Sequence, residues 1–262
     1  MWMKLRYILP FLAASFVLFA CEERQDEILD YVDPFISTEG DHGHWHPSAN
    51  VPFGMVKLCP DTYPSSLTGD GDWAHSGYNY ADSIIRGFSH FRVGSSGGGH
   101  IYDRGGLLSI MPFQGLANHD WIEYPKAEID KSTESAGPGY YSVILKKEDI
   151  KAELTATSHV GYHKYTFRSG DEAKLFLYSG KSGLDRQVSF SLVDRQHIEG
   201  FFNWKNPIYF IIEFKQAIKN IAIPGKNVLK TIAFSDTTIT SGFACIFEDQ
   251  GKPVEAKVAV SF

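Results

Sequence analysis

Gly137-Pro-Gly-Tyr-Tyr-Ser-Val-Ile-Leu145, with Ala152-Glu-Leu-Thr-Ala-Thr157 close behind it, decides the fold. Gly-Pro-Gly is a turn signal, and Tyr140 to Leu145 after it is aromatic and β-branched, the chemistry of a strand. Ala152, Leu154 and Ala156 then alternate with Glu153, Thr155 and Thr157, the period of two that a half-buried strand requires. Working outward, His159 to Phe167, Ala173 to Tyr178 and Val188 to Leu192 continue the series. Pro207 to Phe214 is nearly all apolar and aromatic, as in a central strand. Val228 to Phe234, Ile239 to Phe247 and Val254 to Phe262 follow, the last with Val254, Ala256, Val258, Val260 and Phe262 on one face. Short strands at this spacing, punctuated by Gly, Asp and Pro, predict an all-β protein built as a large antiparallel β-sandwich. No helix longer than about two turns is expected after the leader, Glu22 to Tyr31 being the best candidate.

The 262 residues carry a net charge of −6 with 21% charged side chains, so no basic field exists for nucleic acid. Aromatics at 14% suit a carbohydrate binder and a sandwich core equally, and placement must decide between them. Residues 1–20 read as a signal peptide. Lys4 and Arg6 precede an apolar core, Ile8 to Phe19, that is too short to span a bilayer comfortably. It ends in Leu18-Phe19-Ala20-Cys21, which resembles a bacterial lipoprotein signal with lipid on the Cys21 thiol. Residues 21–30 are then an acidic tether. The expected location is a membrane-anchored lipoprotein at the outer membrane, cell surface or periplasm of a Gram-negative bacterium. Cys59 and Cys245 can pair in an oxidising envelope, but both sit in apolar strand-like runs, and two buried thiols is the preferred reading.

Upstream of the strands, Tyr31 to Pro112 alternates rings, carboxylates, imidazoles and glycines with almost no helical periodicity. That is the composition of a loop-built sugar site, where rings stack on C–H faces and short polar groups grip hydroxyls. His42, His44 and His46 in an extended run would share one face, yet no carboxylate or thiol stands at ligand spacing, so no metal site is assigned. His44 is read instead as a residue near a sugar pocket. Trp73, on the loop Gly69-Asp-Gly-Asp-Trp73, has no apolar neighbours in sequence. It offers a flat platform for a pyranose, with Asp72 as hydroxyl acceptor and Tyr78 following in Ser76-Gly-Tyr78. Packing of Trp73 under a domain interface is the competing reading. In Ile85-Arg-Gly-Phe-Ser-His90, His90 is a further candidate, and Arg92 could meet an anionic substituent through its planar guanidinium. Ser95-Ser-Gly-Gly-Gly-His100 lacks the Gly-Lys-Ser/Thr ending of a phosphate loop.

These phrases together resemble one family, the glycoside hydrolase family 92 α-mannosidases, in their N-terminal domain. The resemblance rests on Asp33-Pro-Phe-Ile36, Gly43-His44 with Pro47, Val51-Pro-Phe-Gly-Met-Val-Lys-Leu-Cys-Pro-Asp-Thr62 and Gly87-Phe-Ser-His90. It continues through Gly139-Tyr-Tyr-Ser142 and Val160-Gly-Tyr-His-Lys-Tyr-Thr-Phe167, covering about Tyr31 to Phe262. Departures are Ser37 and Ser48 where glycine is usual, Cys59 for serine, and His90-Phe-Arg-Val-Gly-Ser95 where the family commonly continues His-Thr-His-Leu-Ser-Gly.

The resemblance implies a galactose-mutarotase or supersandwich-like domain over 31–262, and mannose-containing glycans as ligand. It also implies a helical catalytic domain that is absent here and carries the acid, the base and a calcium ion. Inverting chemistry needs two separated carboxylates flanking a water, and none can be assigned in this chain. The expectation is therefore a truncated or split α-mannosidase, inert alone, with no cofactor or metal of its own. A stand-alone surface glycan-binding lipoprotein, or a structural domain docking onto a separately encoded catalytic half, are the alternatives.

Overall fold

The computed structural model describes residues 28–39, 45–63, 76–92, 106–123, 125–168, 172–180, 188–203, 206–225, 228–235, 237–248 and 251–262. The chain divides into two units, 1–32 and 33–262. What is described of the first includes a single 3-10 turn, Ile28–Tyr31, at the end of the predicted Glu22–Tyr31 helix, whose residues 22–27 lie outside the described residues. The expected signal peptide at 1–20 and most of the tether lie outside the described residues.

The second unit is antiparallel throughout. Its strands are β1 (Cys59–Tyr63), β2 (Ile84–Phe91), β3 (Leu107–Phe113), β4 (Ala127–Gly137), β5 (Tyr140–Leu145), β6 (Ile150–Ala156), β7 (Val160–Thr166) and β8 (Ala173–Tyr178). They continue as β9 (Val188–Leu192), β10 (His197–Phe202), β11 (Ile208–Phe214), β12 (Asn220–Pro224), β13 (Leu229–Ala233), β14 (Thr238–Ile239), β15 (Phe243–Phe247) and β16 (Val254–Ser261). One ladder runs β13-β12-β15-β8-β3-β2 and passes through β4 into β5-β6-β7-β16-β11-β10-β9-β14, with β1 beside β2. The two halves of this ladder face each other. Phe88 of β2 meets Tyr141 and Tyr165, Phe190 of β9 meets Phe243, and Phe214 of β11 meets Phe247. Such ring pairs between layers, offset or edge-on, make the dry interior of a sandwich.

The strands read from alternation appear with the expected parity. In β6, Ile150, Ala152, Leu154 and Ala156 point inward, and in β16, Val254, Ala256, Val258 and Val260 do the same. Pro138 and Gly139 form the β4–β5 turn, Gly139 taking a φ of +75° that a Cβ would resist. The expected Val228–Phe234 strand appears as β13, an edge strand with little buried surface. Two expectations need correction. Ile239 to Phe247 is not one strand but β14 and β15, interrupted at Thr240, Ser241 and Gly242. Tyr31 to Pro112 is less of a loop region than its composition suggests. β2 and β3 lie inside it and are almost wholly buried, which is why they lack a polar alternation. A one-turn helix, α1 (His119–Glu123), was not foreseen. It sets the Trp121 ring on Phe113 and Phe176.

Candidate functional site

Three segments of the unit's first third carry the sequence-predicted sugar contacts, and their flanking residues meet in one buried clamp. Arg92, just past β2, donates from one guanidinium nitrogen to the Ser76 carbonyl. From the other it donates to the carbonyls of Cys59 at 3.3 Å and Pro60 at 2.8 Å, to Asp61 Oδ1 at 2.6 Å, and to Ser89 Oγ at 3.2 Å. Asp61 Oδ1 also accepts the backbone N–H of Gly106 at 3.0 Å. The Ser76 hydroxyl reaches the Trp45 carbonyl at 2.8 Å, and the Thr62 amide donates to the Gly77 carbonyl at 3.0 Å. Trp45, Ser76, Arg92 and Gly106 are the residues at which the chain leaves or re-enters 40–44, 64–75 and 93–105. The clamp therefore fixes the ends of the segments bearing His44, Asp72, Trp73 and the glycine run.

Burial pushes the Asp61 carboxyl above its usual range, while Arg92, the Ser89 hydroxyl and the Gly106 N–H pull against that rise. A guanidinium suits such a place because it stays charged and offers five donors in one plane. Cys59, beside the pair, is a free buried thiol with its pKa pushed up to about 12 by burial; Cys245 is likewise buried and free. This agrees with the preferred reading of the two cysteines.

A second cluster surrounds Glu134. The β4–β5 register breaks between Asp130 and Ser135, and this bulge turns the Glu134 side chain inward to 1% exposure. There Oε1 accepts the hydroxyls of Tyr78 at 2.9 Å and Tyr141 at 2.7 Å, and Oε2 pairs with Lys131. The Lys131 ammonium also lies 4.0 Å above the Tyr80 ring centroid. Desolvation and the neighbouring carboxylate raise the pKa of both Tyr78 and Tyr141, so each remains a hydroxyl donor.

The third cluster joins the layers directly. His90 Nδ1 donates to the Leu108 carbonyl at 2.7 Å, leaving its Nε2 to accept from His163 Nε2–H at 2.6 Å. His163 Nδ1 then accepts the Tyr165 hydroxyl at 2.7 Å. This single tautomer pattern satisfies both neutral rings. Gly161 makes room for it, since a Cβ there would stand 2.9 Å from the His90 ring. Burial lowers the His90 pKa to about 4 and that of His163 well below its usual value.

The structure thus brings Tyr78, His90 and Arg92 close to the loop ends but turns them inward. Tyr78 and His90 have no exposed surface, and Arg92 is held by carbonyls and Asp61. A guanidinium reaching for an anionic substituent is replaced by one half of an internal ion pair. The physical reason is that Arg92 stands within reach of Asp61, of the β1 carbonyls of Cys59 and Pro60, and of the Ser76 carbonyl. Trp73, Asp72 and His44 lie outside the described residues. His46 is buried with neither ring nitrogen hydrogen-bonded, and burial with Arg92 and Lys57 nearby holds its pKa well below 6.5.

No group of three His, Cys, Asp or Glu that could hold a metal ion occurs among the described residues. Asp61 and Glu134, the two enclosed carboxylates, are committed to Arg92 and Lys131, so these residues do not fit a calcium ion. Glu134 and His163 were missed in the sequence. Strand parity could have found His163, which shares the inward face of β7 with Gly161 and Tyr165. Nothing local marks Glu134, because a bulge aims it.

A family model, the glycosyl hydrolase family 92 N-terminal domain, matches residues 31–261. The chain belongs to this family. In fold it is similar to the GH92 α-mannosidase BT3965 of Bacteroides thetaiotaomicron, with a TM-score of 0.75 and 24% identity over 91% of this chain and 34% of that one. It is also similar to the inverting mannosidase BT2199 of the same organism, at TM-score 0.72 and 22% identity, covering 92% of this chain and 32% of that chain. An uncharacterized secreted glycosidase of Arthroderma benhamiae is 28% identical over 149 residues, which is 55% of this chain and 18% of the relative. The chain spans about a third of the length of the structures it matches.

Proposed function

We propose that this chain is the carbohydrate-facing N-terminal domain of an α-mannosidase that acts on mannose-containing glycans, and that this domain is inert alone. The observation that carries this reading is the buried clamp of Asp61, Ser76 and Arg92, which ties together the ends of 40–44, 64–75 and 93–105. Segments rich in Gly, Asp and aromatic residues, held at their ends by a rigid base, suit the gripping of a sugar. Trp73 supplies the apolar platform, Asp72 accepts hydroxyls, and His44 contributes to the same sugar contact. The acid and base carboxylates, and any calcium, belong to polypeptide beyond these residues. Asp61 and Glu134 are enclosed and tied to cations, so neither can protonate a leaving group or activate a water. Lipid on Cys21 anchors the chain to a membrane in a bacterial envelope.

The test is turnover. The isolated chain should release no mannose from α-linked manno-oligosaccharides, with or without calcium. When it is combined with a family 92 catalytic half, Trp73→Ala should lower kcat/KM by roughly tenfold or more, from loss of a stacking platform. Calcium-dependent turnover by the pure chain overturns the assignment, and unchanged kcat/KM in the variant removes Trp73 from the site. Anchoring is tested separately. Cys21→Ser should move the processed protein from the membrane to the soluble fraction, and retention in the membrane rejects the lipid.

A further inference from the structure

The outer face of the second layer carries a cross-strand row far in sequence from the loop-end clamp. Ser189 of β9 stands opposite Phe201 of β10, Phe201 opposite Tyr209 of β11, and Tyr209 opposite Ser261 of β16. The two rings are 40% and 53% exposed, with centroids 6.2 Å apart and planes tilted by 41°. Their strands are interior to the ladder, so the rings sit on rigid backbone. Beside them opens a groove of about 330 Å³ lined by Val188, Ser189, Phe201, Asn203 and Thr240.

We infer that this groove is a second carbohydrate site, which takes a mannose-containing oligosaccharide along the Ser189–Ser261 row, apart from the loop-end site proposed above. Three arguments support it. First, the two rings, though paired with each other, leave about half of their surface in water, and their faces match the C–H face of a pyranose. Second, the hydroxyls of Ser189 and Thr240 and the carboxamide of Asn203 make no hydrogen bond among the described residues, so donors and acceptors stand open at the groove wall. A protein partner would favour an apolar patch with a polar rim; rings interleaved with short uncharged polar groups favour hydroxyls. Third, the row crosses three strand spacings, about 14 Å, long enough for two or three linked sugars. Glu199, two positions along β10 from Phe201 and opposite Ile211 in the next row, adds an acceptor at the border.

Only the identity of the sugar rests on the family reading; the groove itself does not depend on Trp73 or on turnover. The experiment is saturation-transfer NMR of the full chain with α-linked mannotriose, read by titration. The wild type should show transfer, and Phe201→Ala/Tyr209→Ala should weaken binding by roughly tenfold. Ser189→Trp, which fills the groove from one wall, should also weaken it. Trp73→Ala should leave transfer at this face in place. Absence of transfer in the wild type overturns the inference. So does a folded double variant, or a folded Ser189→Trp variant, that binds as the wild type does. Loss of all binding in Trp73→Ala alone assigns the sugar to the loop ends and equally overturns it.

Discussion

The β5–β6–β7 hairpins and the clamp region between Trp45 and Gly106 are built from opposite materials. The hairpins bury alternate apolar side chains, put threonine, lysine and glutamate outside, and close through short turns. The ladder contacts among these three strands are local, and much of their energy comes from area. The clamp region encloses an ion pair and is joined to Glu134 of β4 and to Tyr141 and His163 of the hairpins by a carboxylate ringed by hydroxyls and a pair of imidazoles, across up to 73 residues of sequence. Its polar groups have few alternatives once water is gone, so it depends on complete partnering. The difference teaches where this fold is tolerant: a hairpin position loses stability gradually, whereas the clamp fails when one partner goes.

The largest expected effect tests that statement. Arg92→Ala leaves the Asp61 carboxylate, two β1 carbonyls and the Ser76 carbonyl without this donor in a buried place, and should cost about 3–5 kcal/mol by urea unfolding. Replacing Asp61 and Arg92 together by apolar residues of similar size should recover much of that loss. A double variant no better than Arg92→Ala would mean that the carbonyl contacts, not the charge pair, hold the clamp.

The next effect is on pH. His90 and His163 are neutral in the folded state, with pKa values lowered by burial, and become protonated near pH 6.5 when unfolded. The unfolded chain therefore binds more protons below that pH. Stability is fully present above about pH 6.5 and declines as pH falls toward the folded value of about 4. His90 alone should account for about 3 kcal/mol of that decline. Denaturant midpoints measured from pH 7.5 to 4.5 should fall, and a His90→Gln variant should show a shallower slope. An equal slope would remove His90 as the titrating group.

The smallest effect concerns a departure from the family phrase. Ser37, where glycine is usual, adopts a φ of +64°. Ser37→Gly should relieve left-handed strain and raise stability by less than about 1 kcal/mol, read as a small rise in Tm. A fall in Tm would show that the serine hydroxyl, rather than backbone strain, decides that turn.

Alternation at 150–166 and 254–261 was legible because half of each strand meets water, and the polar half reveals the parity. β2 and β3 were not legible as strands by pattern, since both of their faces are covered and no polar half remains. The candidate site was legible in composition but not in assignment. Tyr78, His90 and Arg92 were singled out as ligand contacts, yet the same polarity that suggests a ligand serves here to tie β1, β2 and β7 to their neighbours.

What the sequence by itself determined is the all-β class, the strand parity in the exposed-face strands, and the family through its motifs. Those depend on local chemistry: turn residues, period-two alternation, and short phrases. Only the tertiary structure decided which polar residues face inward. A bulge in β4 aims Glu134 at two tyrosines, a glycine in β7 admits His90 beside His163, and Arg92 donates to the carbonyls of Cys59 and Pro60 in β1. Each is a meeting of segments far apart along the chain, and burial makes such a meeting decisive because an unpartnered charge or hydroxyl there has no water to turn to.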